Sequence, residues 1–284
     1  MAQSTPHRHA AHEDGENRPA AERPRVRFSV ASLAGSHAQI NQDSHSTRSP
    51  DFFAVADGVG GGSLGEVASA MVVRHLAQLA DPVPERVTQS LQAADAAIAE
   101  RMRKEGHGPG AAVCAAVWRL GSGAKTWLTM VVGDCRVGVL APQDGSWRVR
   151  WSSPLQTYQS MGWVPPKGVN PQAPINMVGC GMSLPAHFET MTLVHGERLI
   201  LCSDGFHQVY PDDLPVADWS TSGDLLTEDT AASWCAAARQ AGAQDDVTVL
   251  LVEPDLSPDR SFWRWVCLAL FAIGAIGLGW HEWR

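Results

Sequence analysis

The sequence predicts an α+β fold in which two packed antiparallel β-sheets are flanked by helices, an α-β-β-α sandwich. Short apolar or alternating runs, separated by Gly, Asp and Ser turns, are typical of strands. Two stretches with helical spacing interrupt these runs early in the chain and one does so late. A chain of 284 residues with 44% hydrophobic content can bury one substantial core. Runs of strands with few helices favour sheets that helices cover from outside.

The predicted elements follow one another in a simple order. Alternation predicts a first strand, a wholly apolar run predicts a second, and helical spacing then predicts two helices, the second starting at Pro84. Further strands and one Ala-rich helix complete the domain. The predicted strands are 25–32, 52–56, 111–120, 125–133, 136–141, 147–151, 190–194, 197–202 and 247–252, and the predicted helices are 65–79, 84–105 and 230–241.

The chain divides into four parts. Residues 1–24 have no periodicity and predict a disordered N-terminal tail, residues 25–253 form the folded domain, and residues 254–261 form a polar linker. Residues 262–280 predict a transmembrane helix that serves as a tail anchor, because the sixteen residues from Trp265 to Trp280 carry no charge and tryptophans flank both ends. A buried C-terminal helix is the alternative. More arginines before the span than after it place the domain in the cytoplasm.

Composition excludes several classes of function. The formal net charge is -8 and no Lys/Arg cluster is visible, which argues against a nucleic-acid partner. The six cysteines are scattered and mostly lie in apolar runs, so reduced, buried thiols are expected rather than disulfides or structural zinc. The first two dozen residues contain no apolar stretch, so no signal peptide is expected there.

Aspartates stand at the ends of apolar runs in four separated segments. They are Asp43 in NQD, Asp57 in ADGVGGG, Asp204 in SDG and Asp245 in QDDVTVLLV. Carboxylates at strand ends can converge and bind hard divalent cations, although a single Asp-Gly pair is more often only a turn. Asp134 lies in a tight turn between two predicted strands, where a simple hairpin and a place in the site are both open.

In this order the segments resemble the motifs of metal-dependent Ser/Thr protein phosphatases of type 2C, especially the compact bacterial members. The segments that carry the resemblance are 41–43, 57–61, 65–69, 133–136, 196–205 and 245–248. The resemblance covers about residues 25–253 and implies two cations, Mn²⁺ or Mg²⁺. It implies that Asp57 bridges them, that the Gly58 carbonyl binds one, that Asp204 and Asp245 bind the other, and that Asp43 adds a carboxylate.

The resemblance also implies an activity. Two cations lower the pKa of a shared water, which attacks phosphoserine or phosphothreonine without a covalent intermediate. Asp57, Asp204 and Asp245 would be the catalytic residues. The implied partners are phosphorylated proteins, substrates of a Ser/Thr kinase. The membrane is a further expected partner, which the uncharged C-terminal span predicts independently of the resemblance. The irregular stretch 152–186 is expected to discriminate between substrates, since long loops within compact domains are usually functional.

Four positions depart from the family pattern. Ala38 stands where the family has a phosphate-binding Arg, and Gln42 stands where it usually has an acid. His37 either replaces that Arg or is an ordinary surface His. Gln208 replaces an Asp that often serves a third ion, so a third ion is not expected, and Val59 stands where some members carry a His. Ala38 and Gln42 keep a second hypothesis open: a catalytically weak or inactive phosphatase-like module that binds phosphoproteins or a membrane complex.

Overall fold

The computed structural model of the chain describes residues 26–38, 40–48, 51–59, 64–108, 110–121, 125–143, 146–210, 226–227 and 229–256. Within these ranges ten strands and four helices follow in chain order. They are β1 (Val26–Leu33), β2 (Ser44–Arg48), β3 (Phe52–Val59), α1 (Gly65–Ala77), α2 (Pro84–Glu105), β4 (Ala111–Arg119), β5 (Thr126–Val132), β6 (Arg136–Gln143), β7 (Ser146–Ser152), β8 (His187–Thr192), β9 (Arg198–Cys202), α3 (Asp204–His207), α4 (Thr230–Gln240) and β10 (Val247–Pro254).

The strands form two five-stranded sheets in which neighbouring strands pair antiparallel. Sheet one has the order β1-β10-β9-β6-β7, and sheet two has the order β2-β3-β4-β5-β8. Strand β3 shows how one sequence supports two cores: Phe53 and Val55 pack between the sheets, whereas Phe52 and Ala54 pack under α1 and α2. Helix α4 covers the other face of sheet one through Trp234. The predicted α-β-β-α sandwich is confirmed.

Several local predictions differ from the structure: β8 lies at His187–Thr192 instead of 190–194, the short helix α3 was not predicted, and three further differences bear on the site. Strand β2 was not predicted, because its sequence SHSTR has no apolar alternation. Strand β3 extends beyond residue 56, so that Asp57 pairs with Val113 inside the sheet and does not lie in a turn after the strand. The hairpin considered around Asp134 is wrong: β5 belongs to sheet two and β6 to sheet one, so the turn crosses between the sheets.

The ends of the chain are described only in part. The predicted tail 1–24 and the predicted span 262–280 lie outside the described residues. Within the ranges given above, no helix is both long and apolar enough to cross a membrane. Strand β10 runs to Pro254 and Leu256 is buried against the core between the sheets, so ordered structure continues into the first residues of the predicted linker.

The expectation of reduced thiols agrees with the cysteines that the structure describes, all of which are free. Four of them are buried and Cys180 is exposed. Burial raises the pKa of Cys114 and of Cys202 to about 12, so these two thiols stay protonated and inert near neutral pH.

Candidate metal centre

Five aspartates that are far apart in sequence lie together at one end of the sandwich. Asp57 is at their centre: burial raises its pKa well above the ordinary value, and the charges of Asp43, Asp204, Asp134 and Asp245 raise it further. Carboxylates affect one another this way only at short range. The sequence predicted four of them as a site, and the turn that crosses between the sheets adds Asp134.

Two hydroxyl groups fix the carboxylate of Asp43. The Ser203 and Thr248 hydroxyls donate to its Oδ2 at 2.8 Å and 2.6 Å. Burial nevertheless raises the pKa of Asp43 to about 7, against the lowering effect of these hydrogen bonds. Its Oδ1 is buried and has no hydrogen-bond partner among the described residues. The motifs contain Ser203 and Thr248, but they do not indicate this role, because Asp43 lies more than 150 residues away in sequence.

Asp204 is held in a similar way. The Gln208 side-chain amide donates to Asp204 Oδ2 at 2.6 Å, one turn along the chain. Burial, followed by the Asp245 charge, raises the pKa of Asp204 to about 6, against the lowering effect of a hydrogen bond with the Asp57 carboxyl. Asp204 Oδ1 is buried without a partner in the described part of the chain. Gln208 therefore occupies one oxygen, and no amide or hydroxyl group that the structure describes donates to the other.

His207 supports the turn that carries Asp134. Its Nε2 lies 2.6 Å from the Asp134 carbonyl oxygen, and burial together with the Arg136 charge lowers the pKa of His207 to about 4. The imidazole is therefore neutral near pH 7 and donates to that carbonyl. Burial and the charge of Asp204 raise the pKa of Asp134 to about 8.

Asp246 is structural, whereas its neighbour Asp245 is exposed. The two carboxylate oxygens of Asp246 accept the backbone N–H groups of Gly35 and Gln42, each at 2.6 Å. Asp246 is 5% exposed. It thus anchors the segment that leads to Asp43 onto the start of β10, a role that no local sequence signal indicates.

A buried pair of amides joins the loop 153–186 to the same end of the sandwich. Gln156 Oε1 accepts the Gly133 N–H at 3.0 Å and the Asn176 side-chain amide at 2.8 Å. Gly133 makes two hydrogen bonds with Gln156: its N–H donates to the Gln156 side chain, and its carbonyl accepts the Gln156 backbone N–H. The backbone of Gly133 has a φ of 84°, a left-handed conformation that glycine adopts most readily. The base of this loop is therefore attached directly to the residue before Asp134. The loop has only two isolated bridges and no strand or helix, as the sequence predicted.

Close backbone approach places Gly58 beside the start of α1. A Cβ at Gly58 would overlap the carbonyl of Gly65, and a Cβ at Gly65 would meet the Gln42 side chain at 2.8 Å and the Gly58 oxygen at 2.9 Å. The Gly58 carbonyl, the Gln42 amide and the first residue of α1 therefore meet next to Asp57. Glycine is required at both positions.

The residues of this cluster fit divalent cations in their chemistry. Buried carboxylate oxygens without donors, such as Oδ1 of Asp43 and of Asp204, are costly unless a positive charge is near. Hard cations prefer such oxygen ligands. The five aspartates are near enough to raise one another's pKa, but in the described ranges no three His, Cys, Asp or Glu side chains are close enough together to hold one ion as the structure stands. Ala38 and His37 lie exposed on the loop before Asp43.

Comparison with known proteins identifies the family. Residues 35–244 match the family Protein phosphatase 2C. The chain belongs to this family. The protein phosphatase 2C domain is also similar to the serine/threonine protein phosphatase PstP of Mycobacterium tuberculosis, with 26% identity over 215 residues, 70% of this chain and 40% of that protein. The chain thus spans about two fifths of the length of the curated relatives it matches.

Solved structures show the same fold. The catalytic domain of PstP in complex with two manganese ions superposes with a TM-score of 0.62 and 23% identity, covering 81% of this chain and 98% of that one. The S. agalactiae serine/threonine phosphatase gives a TM-score of 0.64 at 20% identity, with 80% and 99% covered. These protein phosphatase 2C neighbours confirm the predicted two-sheet architecture.

The carboxylate cluster predicts an unusual pH dependence of stability. An acid whose pKa is raised by folding stabilises the fold while it is protonated, and this contribution is lost as pH rises through the folded pKa. Asp43 and Asp134, with pKa values of about 7 and about 8, therefore make the ion-free protein progressively less stable as pH rises from about 6.5 to about 8.5. This range is the upper part of a loss that begins near the ordinary aspartate pKa of 3.8 and ends once both groups are ionised. His207 stays neutral in the folded chain over this range.

Thermal unfolding checks this expectation. The midpoint in EDTA should fall over that pH range, and the increment given by Mn²⁺ should grow, because cations bind deprotonated carboxylates. An EDTA midpoint that is constant or rises with pH would contradict the arrangement.

Proposed function

We propose that this chain is a metal-dependent protein serine/threonine phosphatase that hydrolyses phosphoserine and phosphothreonine with Mn²⁺ or Mg²⁺ at the aspartate cluster. The observation that carries the proposal is the pair of buried, unpartnered oxygens, Oδ1 of Asp43 and of Asp204, inside a cluster of mutually repelling carboxylates in this family. The cluster is best explained by positive charge that compensates it.

The roles of the individual residues follow from their contacts. Asp57, central among the carboxylates, would be shared by two cations, and the Gly58 carbonyl would assist in holding one of them. Asp43, Asp204 and Asp245 would supply further oxygen ligands. When bound, such a pair supplies Lewis acidity to the phosphoryl oxygens and lowers the pKa of water.

The surrounding hydrogen bonds orient these ligands. Ser203 and Thr248 hold Asp43 Oδ2, and Gln208 holds Asp204 Oδ2, so that each carboxylate presents its remaining oxygen in a fixed direction. Such supporting bonds tune metal ligands strongly. His207 has its Nε2 committed to the Asp134 carbonyl, so that nitrogen holds the turn in place and does not carry a proton to the leaving group.

We propose that residues 262–280 tether the domain to the membrane, with the domain in the cytoplasm. The sixteen uncharged residues from Trp265 to Trp280, with a tryptophan at each end, support this proposal. A tethered chain should remain in the membrane pellet after a carbonate wash. Its release into the supernatant would contradict the proposed membrane tether.

A catalytically weak or inactive module that binds phosphoproteins is the second candidate. Ala38 on an exposed loop offers no guanidinium to a phosphate, and Gln42 contributes no charge. The retained carboxylates argue against this candidate, since a protein without cations gains nothing from their repulsion.

Hydrolysis assays on the 284-residue chain separate the two candidates. We expect turnover of para-nitrophenyl phosphate and of a phosphothreonine peptide that requires Mn²⁺ or Mg²⁺, and that disappears with EDTA and in Asp204→Ala. Asp81→Ala, which removes an exposed carboxylate on the protein surface, serves as the matched control. A folded protein that binds the phosphopeptide but turns over neither compound with any metal would favour the binding module.

A further inference from the structure

An open groove runs beside the aspartate cluster, between β2 and α1. Its volume is about 400 Å³. It begins at Asp43, follows Ser44 and Ser46 along the strand, and has Val73 and Arg74 of α1 as its opposite wall. One end of the groove is therefore a residue of the candidate metal centre, and the other end is a surface to which no role has been given.

The strand side of this groove has a free backbone edge. Strand β2 is the outer strand of sheet two. Gly58 N–H donates to the Gln42 carbonyl, and the bonding direction alternates along an antiparallel ladder, so the even-numbered residues bond toward β3. The backbone groups of His45 and Thr47 therefore point outward, and they have no backbone partner within the described ranges. An edge of this kind can accept an extended peptide as an added strand.

The helix side of the groove carries a positive charge. Arg74 is exposed and has no carboxylate partner in the part of the chain that the structure describes. It stands out on a protein with a formal net charge of -8. A peptide with an acidic side chain on the α1 face of the added strand complements this charge.

We propose that this groove binds the substrate segment next to the phosphorylated residue as an added strand, and that Arg74 selects an acidic side chain in that segment. The inference rests on the proposed function, because it requires the phosphorylated residue to lie at the aspartate cluster. Asp43 and Ser46 are three strand positions apart, or roughly 10 Å. The preferred acidic residue therefore lies about three residues from the phosphorylated one.

Peptide selectivity tests the role of Arg74. Phosphothreonine peptides with either Glu or Lys three residues away, on each side in turn, are compared by kcat/KM on the 284-residue chain with Mn²⁺. The wild type should prefer one Glu peptide by about two- to fivefold, as expected for an exposed ion pair. Arg74→Glu should reverse this preference and leave para-nitrophenyl phosphate turnover unchanged. Arg86→Glu is the control, because Arg86 is also exposed but lies on α2, away from the groove. It should leave the peptide preference unchanged.

A second variant tests strand addition independently of charge. Thr47→Pro removes an outward N–H at a position where an edge strand tolerates proline. It should lower kcat/KM for every phosphopeptide while para-nitrophenyl phosphate turnover is retained. Normal small-substrate turnover with unchanged peptide kinetics in both variants would overturn the inference and leave the phosphatase standing. Absence of metal-dependent turnover in the wild type would overturn the phosphatase itself and the inference with it.

Discussion

Asp57→Asn should abolish metal-dependent turnover while the fold persists. Asp57 lies at the centre of the carboxylate cluster, and its replacement removes the charge expected to bridge both cations. Changes to residues that only support metal ligands already cost 10- to 100-fold, so loss of a bridging ligand should lower kcat by more than about a hundredfold. Hydrolysis of para-nitrophenyl phosphate across a range of Mn²⁺ concentrations measures the loss.

A stability measurement distinguishes this result from simple unfolding. Burial and the neighbouring negative charges raise the pKa of Asp57. Replacing this carboxylate by an amide should therefore leave the ion-free variant at least as stable as the wild type near pH 8. The same variant should lose most of the Mn²⁺-dependent rise in unfolding midpoint. Asp81→Asn, at an exposed position, should change neither property. Retained turnover, or an unchanged Mn²⁺ increment, would exclude Asp57 as a ligand.

Gly58→Ala should both destabilise the domain and disable the site. The added methyl group would overlap the carbonyl of Gly65, so the start of α1 and the end of β3 must separate. Overpacking of this kind costs about 1–3 kcal/mol. Because displacement of a site by 1 Å can cost about a hundredfold in rate, turnover should fall by more than about tenfold.

Urea unfolding and Mn²⁺-dependent turnover together measure both effects. Gly108→Ala is the matched control, because a Cβ there meets no atom within 4 Å and its backbone is outside the left-handed region. That variant should behave as the wild type. Equal stability and activity of Gly58→Ala would mean that α1 and β3 do not approach as closely as the structure shows.

Much of the fold could be predicted because its signals are local. Helix α2 begins at Pro84 and ends at Glu105, as its apolar spacing predicted. Strands such as β4, wholly apolar and bounded by turn residues, were found within a residue or so. Strand β2 escaped prediction, since an outer strand with polar side chains on both faces has neither an apolar run nor an alternation.

The site could be predicted only as a set of carboxylates. Asp43, Asp57, Asp204 and Asp245 were selected by the order of their motifs, and the structure brings them together. The supporting groups could not be foreseen, because each belongs to a distant segment. Examples are the contact of Thr248 with Asp43 across 205 positions and of Asp246 with Gly35 across 211.

The sequence by itself determined the type of most elements, the family resemblance and four of the five clustered aspartates, because these depend on neighbouring residues and ordered motifs. Only the tertiary structure decided which strands pair, that the turn at Asp134 crosses between sheets, and which oxygens remain unpartnered. The physical reason is that strand pairing and burial are long-range. Asp43 acquires its raised pKa because segments more than a hundred residues apart together exclude water from it.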